Sequence, residues 1–320
     1  MSPSMTNCLS YNAEPIRLIS SLAKALGMED GELSKLASRA SGLYRVAKEI
    51  RKPDGTIRRT YDALPPLKNV QRRIKQRILD RVNFPSYLTG SIKGRDYKVN
   101  AAQHSGAKIV IAEDIGSFFP STSASIVFDV WRHFFGFGHE VALCLTNLTT
   151  RRDELPQGAI TSAHLANLVF WREEAQLQAR LDLDGITYSR FVDDVAVSSR
   201  SVIEPARKTE IVASIYGMMM RRGYRPKRGK HELHTARSRM VVTKLTVNTK
   251  PGLAREDRSK IRAMVHELEC LSASLDNAQA VQDRLNKVAG KIAMLGRFHP
   301  GKATALKKRL AEVKRTVTHK

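Results

Sequence analysis

The alternation of apolar and polar positions divides the chain into helical and extended segments. The helical period predicts an α-helix in each of these segments: 16–26, 33–47, 67–84, 123–135, 140–148, 162–181, 205–222 and most of 255–320. Extended patterns are found at 44–50, 56–61, 108–111, 186–199 and 240–248. Two features add detail. Asp54-Gly55 predicts a hairpin turn between the first two strands, and Ser123 is a suitable N-cap for the helix that follows it. The pattern as a whole predicts an α+β chain.

Acidic residues interrupt this pattern at two places where a strand ends or turns. Asp193 and Asp194 lie between two runs of alternating residues, which predicts a hairpin with both acids at its tip. Asp114 follows the apolar run 108–111, so it is expected at a strand end. Neighbouring carboxylates repel each other unless a cation lies between them, and two Mg²⁺ ions held in this way support phosphoryl transfer. A solvated turn and a helix cap remain the simpler alternatives for each acid taken alone.

Charge narrows the choice of partner. Lys and Arg number 54 and Asp and Glu 31, so the 320-residue chain carries a net charge of +23. Such an excess favours a polyanion, and nucleic acid above all, over a merely solvated basic surface or a membrane surface. The hairpin at 44–61 and the helix 67–84 concentrate much of this charge, and cations at such density suit a helix that lies along phosphates. Apolar residues at 42% exclude a mostly disordered chain, and the length allows two domains or one domain with subdomains.

Cysteine usage and hydropathy predict the environment of the protein. The three cysteines are widely spaced without a C-x-x-C pair, which argues against a disulfide framework and a zinc site. There is no run of about 18 apolar residues and no basic-then-apolar leader, so we expect a cytoplasmic protein without a membrane partner.

Four motifs in order resemble those of reverse transcriptases. The first is the block 58–71, a loose match to R-x-I-x-x-P-x-x-x-L-K-x-x-Q. The second runs from Asp114 to Ser121 and is similar to D-x-x-x-F-F-P-S. The third, at 155–167, matches L-P-Q-G-x-x-x-S followed by A-N, and the fourth, at 188–194, resembles Y-x-R-Y-A-D-D. The resemblance covers about residues 45–300.

Two further motifs resemble those of the retron group of bacterial reverse transcriptases. Residues 100–104 match the signature N-A-x-x-H, and residues 242–245 are similar to V-T-G-L. In the second of these, Lys244 replaces glycine, which leaves the local backbone or the RNA contact open. Other departures are Phe191-Val192 before the paired acids, and Ile160 and Ala163 in the third motif, none of which removes an expected metal ligand.

The resemblance implies a right-hand polymerase with fingers, an antiparallel palm and a helical thumb. It implies these boundaries: an N-terminal helical extension at 1–44, fingers with the N-A-x-x-H region at 45–107, a palm at 108–235 with part of the fingers at 140–160, and a strand-rich connection with a basic thumb at 236–320.

The resemblance also implies a role for each matched residue. Asp114, Asp193 and Asp194 would be catalytic and hold two Mg²⁺ ions, with Mn²⁺ as a substitute, and Ile115 would lend a carbonyl. Contacts to the incoming dNTP are expected from Arg58 or Arg59, Phe119, Gln157 and Lys230. Phe119 would exclude a ribose 2′-OH, and Lys230 would touch the γ-phosphate or donate a proton. Asn100 and His104 would support either RNA or fold contacts. Direct RNA contacts are expected from Thr243, Lys244, Lys307, Lys308 and Arg309.

The function implied is RNA-directed DNA synthesis. A retron enzyme copies part of its cognate non-coding RNA, the msr-msd transcript, into branched RNA-linked DNA (msDNA), starting from a guanosine 2′-OH. Retrons as a class are implicated in phage defence, and any effector protein is expected to be a separate chain. Two alternatives stay open at this point. One is another bacterial reverse transcriptase, of the group II intron or abortive-infection type, and the other is a non-catalytic RNA-binding protein with a degenerate palm.

Overall fold

The structure, a computed structural model, describes residues 8–52, 55–274 and 278–318. The predicted turn residues Pro53 and Asp54, and the first seven residues of the predicted N-terminal extension, lie outside these ranges. Among the described residues, no helix combines the length and the apolar character needed to cross a lipid bilayer.

Helices make up most of the described chain. They are α1 (Ile19–Leu26), α2 (Asp30–Arg39), α3 (Pro65–Arg77), α4 (Tyr97–Gln103), α5 (Phe118–Ser121), α6 (Ala124–Asp129), α7 (His139–Thr149), α8 (Ser162–Leu168), α9 (Glu174–Leu183), α10 (Pro205–Arg221), α11 (Arg255–Ser274), α12 (Ala278–Gly296) and α13 (Pro300–Thr318). A π-helical turn, Val130–Phe134, continues α6, and Ser123 caps α6 as predicted by accepting a hydrogen bond from the Ile126 amide.

The strands are short except in two hairpins and one central strand. They are β1 (Ser10–Tyr11), β2 (Tyr44–Arg51), β3 (Ile57–Ala63), β4 (Val82–Asn83), β5 (Ile109–Gly116), β6 (Ile186–Phe191), β7 (Asp194–Ser199), β8 (Arg225–Pro226), β9 (Glu232–Thr235), β10 (Val241–Val242) and β11 (Leu245–Thr246). The hairpin predicted at 44–61 is β2–β3, the acid-tipped hairpin predicted at 186–199 is β6–β7, and the strand-rich piece predicted at 240–248 is β10–β11.

An antiparallel sheet lies at the centre of the fold. Its order is β6-β7-β5, and β8 and β9 both pair with the free edge of β5. Strand β5 extends beyond the predicted 108–111 because its acidic end is also paired. Glu113 accepts hydrogen bonds from the Tyr216 hydroxyl (2.9 Å) and bonds His231 (2.6 Å), while Asp114 lies opposite Asp194. The α+β class predicted from the pattern is confirmed.

Two hydrophobic clusters pack against the sheet. The larger one joins the N-terminal helices and α6–α10 to the sheet and contains the fully buried Trp131. The second one joins α11–α13 to the β10–β11 hairpin and includes Val110 and Ala196 from the sheet. The basic helical tail is therefore a three-helix bundle docked on the sheet through its own core.

Three predicted helices end early or are interrupted. The helix predicted at 67–84 ends at Arg77, and the one predicted at 162–181 is interrupted between α8 and α9. The interruption is stable because arginine side chains bind the carbonyls that a continuous helix would have used: Arg190 binds that of Asn167 (3.0 Å), and Arg222 binds that of Val169 (2.8 Å). The helix predicted at 33–47 ends at Arg39, because residues from Tyr44 onward join β2.

The basic face of α3, predicted to follow phosphates, is partly committed within the protein. Arg73 and Arg77 donate to carbonyls at the C-terminal end of α1, at 2.7–3.0 Å. Lys68 and Lys75 are paired with Asp62 and Asp80, the latter on the turn that follows α3. Arg73 and Arg77 thus cap the C-terminal end of α1, and this structural role explains both charges without a bound ligand.

Candidate active site

The three predicted catalytic acids come together at one end of the sheet. Asp114 on β5 lies directly opposite Asp194 on β7, and antiparallel partners of this kind have Cα atoms about 4.5–5.5 Å apart. Asp193 lies in the β6–β7 turn, and its carbonyl accepts a 3.1 Å hydrogen bond from the Ile115 amide. Two separate stretches of chain thus deliver three carboxylates to one place.

These carboxylates disfavour ionisation of one another. The pKa of Asp194 is raised to about 6, first by burial of its carboxylate and then by the charges of Asp193 and Asp114. The pKa of Asp193 is also raised, mainly by burial. Lys230 and Lys244 partly offset the shift of Asp194. The site therefore has an excess of negative charge that a bound cation would neutralise.

The donor set suits a hard divalent cation, because carboxylate oxygens and the neighbouring Ile115 carbonyl are the ligands such ions prefer. Among residues 8–52, 55–274 and 278–318, no three His, Cys, Asp or Glu side chains are placed so that together they could hold a metal ion. Instead, the ammonium of Lys230 is bonded to the Asp114 carboxylate, which holds the pKa of Lys230 above its usual value. A metal ion at Asp114 would therefore compete with the Lys230 ammonium for this carboxylate.

A cleft of about 430 Å³ adjoins the acids and gathers most of the predicted nucleotide contacts. Arg58, Phe119 and Gln157 line it together with Asp193 and Asp194. Arg58 donates to the Gln157 side chain at 3.1 Å, which ties the β2–β3 hairpin to the loop before α8. The spatial grouping of these residues is as the motifs predict.

Arg59 lies outside this group. Successive residues of a strand face opposite sides, so Arg59 points away from the cleft that Arg58 lines. It forms an ion pair with Glu49, its partner across the hairpin, at 2.7 Å. Of the two alternatives in the sequence, Arg58 has the position to meet a nucleotide.

A buried ion pair supports the turn that carries Asp193, a role that the motif match did not assign to Arg190. The guanidinium of Arg190 is fully buried and binds both oxygens of Glu174, at 2.6 and 2.8 Å. It also donates to the Val192 carbonyl (3.0 Å), one residue before Asp193. The Tyr188 hydroxyl donates to Glu174 at 2.8 Å. Alternation predicted a strand here but gave no sign that a charge would point inward.

Gly90 lies against the catalytic turn, and sequence reasoning missed it. A Cβ atom at this position would lie 2.5 Å from Val192 Cγ2 and 2.6 Å from the Val192 amide nitrogen. Val192 itself has a φ of 62°, so the turn is already in a conformation that branched residues seldom adopt. A larger residue at 90 would therefore displace the Val192 backbone and, with it, the adjacent acids.

Gly90→Ala is accordingly expected to reduce the rate of nucleotide incorporation by about 100-fold, because a displacement of about 1 Å at reacting groups has an effect of that size. Steady-state primer extension would measure it. Gly31→Ala, on an exposed helix position with open space around it, is the matched control and should extend primers normally. Full activity of the Gly90 variant would show that the turn tolerates displacement.

Asn100 and His104 of the N-A-x-x-H signature are both about 1% exposed. Asn100 accepts a hydrogen bond from Thr89 (2.7 Å), next to Gly90. The His104 ring bonds the hydroxyls of Ser189 on β6 and Ser198 on β7, each at 2.7 Å. Of the two roles open in the sequence, the structure supports contacts within the fold, since neither side chain reaches the surface.

Burial lowers the pKa of His104 to about 4, against an ordinary value near 6.5. Between these values the unfolded chain binds a proton that the folded chain does not. The free energy of unfolding is therefore expected to fall by about 3 kcal/mol as the pH drops from about 6.5 to 4.

Urea unfolding across this pH range, compared between wild type and His104→Gln, tests the expectation. The free energy of unfolding should change less with pH in the variant. Some pH dependence will remain because burial also lowers the pKa of His164. Equal slopes would mean that His104 does not titrate in this way.

Some of the residues predicted to contact RNA are exposed, and others are bonded to neighbouring residues within the protein. Lys244, Lys307 and Lys308 are exposed. Arg309 is bound through both of its donor groups to Glu269, at 2.6 and 2.8 Å, because the two residues face each other where α13 packs on α11. The Thr243 hydroxyl donates to the Tyr97 carbonyl (2.9 Å), so it anchors the β10–β11 turn to α4.

Comparison with known proteins identifies the class of protein to which this chain belongs. Residues 50–250, which include the paired acids on the antiparallel sheet and the residues of the adjoining cleft, match the family model described as reverse transcriptase (RNA-dependent DNA polymerase). The chain belongs to this family and is an RNA-directed DNA polymerase with the right-hand polymerase fold.

Its curated relatives identify the group within the family. The chain is 31% identical to the Retron Se72 reverse transcriptase of Salmonella heidelberg (strain 579083-10), over 95% of this chain and 81% of that protein. It is 30% identical to the Retron Ec48 reverse transcriptase of Escherichia coli, over 95% and 78% of the two chains. The predicted retron type of reverse transcriptase is thus confirmed.

A more distant structural likeness was also found. A truncated apo telomerase from Candida tropicalis aligns with a TM-score of 0.43 and 9% identity, covering 71% of this chain and 61% of that one. This likeness is too weak to bear on function.

Proposed function

We propose that this chain copies part of a cognate msr-msd RNA into branched, RNA-linked single-stranded DNA. The observation that carries the proposal is the meeting of Asp114 with Asp193 and Asp194 beside a cleft that Arg58 and Gln157 line. Carboxylates next to cationic and amide groups are what nucleotidyl transfer needs, because the catalysis consists of positioning and charge neutralisation.

Two Mg²⁺ ions are the proposed cofactors, with Mn²⁺ as a substitute, and Asp114, Ile115, Asp193 and Asp194 would hold them. When bound, such ions lower the pKa of the attacking hydroxyl and neutralise the triphosphate and the leaving pyrophosphate. The oxygen-only donors and the raised pKa values of Asp193 and Asp194 support this assignment.

The residues of the cleft have separate proposed tasks toward the dNTP. Arg58 binds the triphosphate, and Gln157 positions the nucleotide. The Phe119 ring, which lines the cleft, would meet a ribose 2′-OH and so favour deoxyribose. Lys230, once released from Asp114, meets the γ-phosphate or donates a proton to the departing pyrophosphate. The primer hydroxyl attacks the α-phosphorus as the bond to pyrophosphate breaks.

The basic surface would bind the RNA. The proposed fingers (45–107), palm (108–235) and thumb (236–320) surround the acids, and the thumb presents Lys307 and Lys308 to solvent. Contacts of this kind recognise an RNA stem-loop by its shape and phosphates. The product would act in the cytoplasm within an anti-phage system whose effector is a separate protein.

Nucleic acid that copurifies with the protein tests the proposal. We expect one discrete RNA–DNA species joined through a guanosine 2′-OH, and Mg²⁺-dependent primer extension with dNTPs but little with rNTPs. Recovery of random cellular RNA alone would contradict the retron product. Absence of extension on any RNA template would contradict the proposed site.

A further inference from the structure

The chain that follows the edge of β5 bulges opposite two consecutive acids. Strand β8 leaves this edge after Pro226, which pairs with β5, and β9 joins it again at Glu232. Residues 227–231, here called the edge bulge, therefore lie opposite Glu113 and Asp114, so that five residues face two. Bulges of this kind are frequent beside active sites, where they change the direction of a side chain.

The edge bulge presents Lys230 to the catalytic acids. The Lys227 amide donates to the Asp114 carbonyl at 2.7 Å, and the Lys230 ammonium bonds the Asp114 carboxylate. The proposed task of Lys230 lies elsewhere, at the γ-phosphate or the departing pyrophosphate. The flexible four-carbon chain of a lysine lets its ammonium turn from one place to the other, provided that the backbone beneath it keeps its position.

A buried carboxylate on the opposite face of the sheet holds that backbone. Glu113 precedes Asp114 on β5, so its side chain points away from the catalytic acids, and it is 1% exposed. One carboxylate oxygen accepts a 2.9 Å hydrogen bond from the Tyr216 hydroxyl of α10, and the other bonds Nδ1 of His231 at 2.6 Å. His231 directly follows Lys230, so Glu113 joins the helix behind the sheet to the residue beside Lys230.

The two hydrogen bonds of Glu113 have different consequences. The bond from Tyr216 connects Glu113 to a helix that already packs on the sheet through its own apolar residues, and it satisfies one oxygen of a buried carboxylate. The bond from His231 reaches outward, since that side chain is 37% exposed, and it ties the end of the edge bulge to β5.

We infer that Glu113 and His231 are positioning residues, which hold the edge bulge against β5 so that Lys230 reaches the triphosphate of the incoming nucleotide. Both act through Lys230 and neither touches the substrate. The inference rests on the proposed function, because it requires the proposed task of Lys230. It explains why a face of β5 that otherwise carries isoleucines, at 109, 111 and 115, includes an acid.

Two substitutions of similar shape separate the hydrogen bond of His231 from its packing. His231→Asn retains an N–H donor near the position of Nδ1, whereas His231→Leu has none. Incorporation of one dNTP on an RNA-template/DNA-primer duplex is measured under single-turnover conditions, which isolate chemistry from product release. We expect His231→Leu to be about 10-fold slower than wild type and His231→Asn to stay within about threefold.

Coupling to Lys230 shows whether His231 acts through it. Lys230→Leu alone should lower the incorporation rate about 100-fold. Adding His231→Leu to that variant should lower the rate no further, because a positioning residue then has nothing left to position. Independent effects would multiply to a loss of about 1,000-fold, and that result would overturn the inference.

Tyr216→Phe is the matched control, because it removes the other hydrogen bond of the same carboxylate and leaves the edge bulge in contact. This variant and His231→Leu should each lower the melting temperature by about 2–4 °C, but Tyr216→Phe should incorporate dNTP at the wild-type rate. Equal losses of rate in both variants would assign the effect to stability and overturn the inference.

The same measurements distinguish this inference from the proposed function. A wild-type rate in Lys230→Leu would overturn the inference together with the task of Lys230, while the polymerase reaction would stand. Absence of incorporation by the wild type would overturn the proposed function itself.

Discussion

Asp194→Asn is expected to reduce RNA-directed primer extension by about 1,000-fold or more. The amide retains the shape of the side chain but removes one of the charges that would hold the metal ions, and loss of a single electrostatic contact at a reacting centre has effects of this order. Extension of a labelled primer with dNTPs and Mg²⁺ measures the loss. Asp182→Asn, on an exposed position of α9, is the matched control and should remain active.

The same substitution should stabilise the protein in metal-free buffer. Asp194 is exposed at the end of the sheet, but desolvation and two neighbouring carboxylates still oppose its charge and raise its pKa to about 6. A neutral amide removes this repulsion, so we expect a higher melting temperature together with lost activity. A variant that is inactive because it is unfolded would show the opposite shift, and an active variant would remove Asp194 from the proposed site.

Arg190→Met is expected to lower the free energy of unfolding by about 3–5 kcal/mol, the usual effect of removing one partner from a buried ion pair. Glu174 would be left buried with the Tyr188 hydroxyl as its remaining side-chain hydrogen bond, and the carbonyls of Val192 and Asn167 would lose their donor. Urea unfolding followed by the fluorescence of the two tryptophans measures the change.

A second variant shows whether an unpaired charge causes the effect. Arg190→Met combined with Glu174→Leu removes both partners, and it should recover about 1–4 kcal/mol of the loss. It should nevertheless extend primers poorly, because the Val192 carbonyl beside Asp193 remains without its donor. A loss below 1 kcal/mol in the single variant would show that Glu174 is stabilised by other means.

Local patterns predicted the local geometry of the site well. Alternation on both sides of Asp193-Asp194 predicted the β6–β7 hairpin, because a strand with regular spacing needs little information from elsewhere. The motifs also predicted that Arg58, Phe119 and Gln157 would gather near the acids, and the cleft contains all three. The choice between Arg58 and Arg59 required the register of β2 with β3, which the residue types alone do not reveal.

Errors arose where side chains from distant segments compete with the local pattern. The period of 162–181 predicted one helix, but Arg190 and Arg222 bind carbonyls that its middle turns would have used. On the basic stripe of α3, Arg73 and Arg77 cap α1, while phosphate contact by the other cations of the stripe stays a prediction. Both outcomes depend on contacts between residues more than 20 positions apart in the chain.

The order and chemistry of the motifs by themselves determined the class of enzyme, and they predicted the three candidate acids and the segments that carry them. Such properties are local, since they depend on residue type and short spacing. Only the tertiary structure decided that Lys230 binds Asp114, that Gly90 and Arg190 support the catalytic turn, and that His104 joins two strands inside the fold. These contacts depend on burial and on distances across the fold. There, one methyl group or one unpaired charge changes the free energy of folding by more than the preference of a residue for helix or strand does.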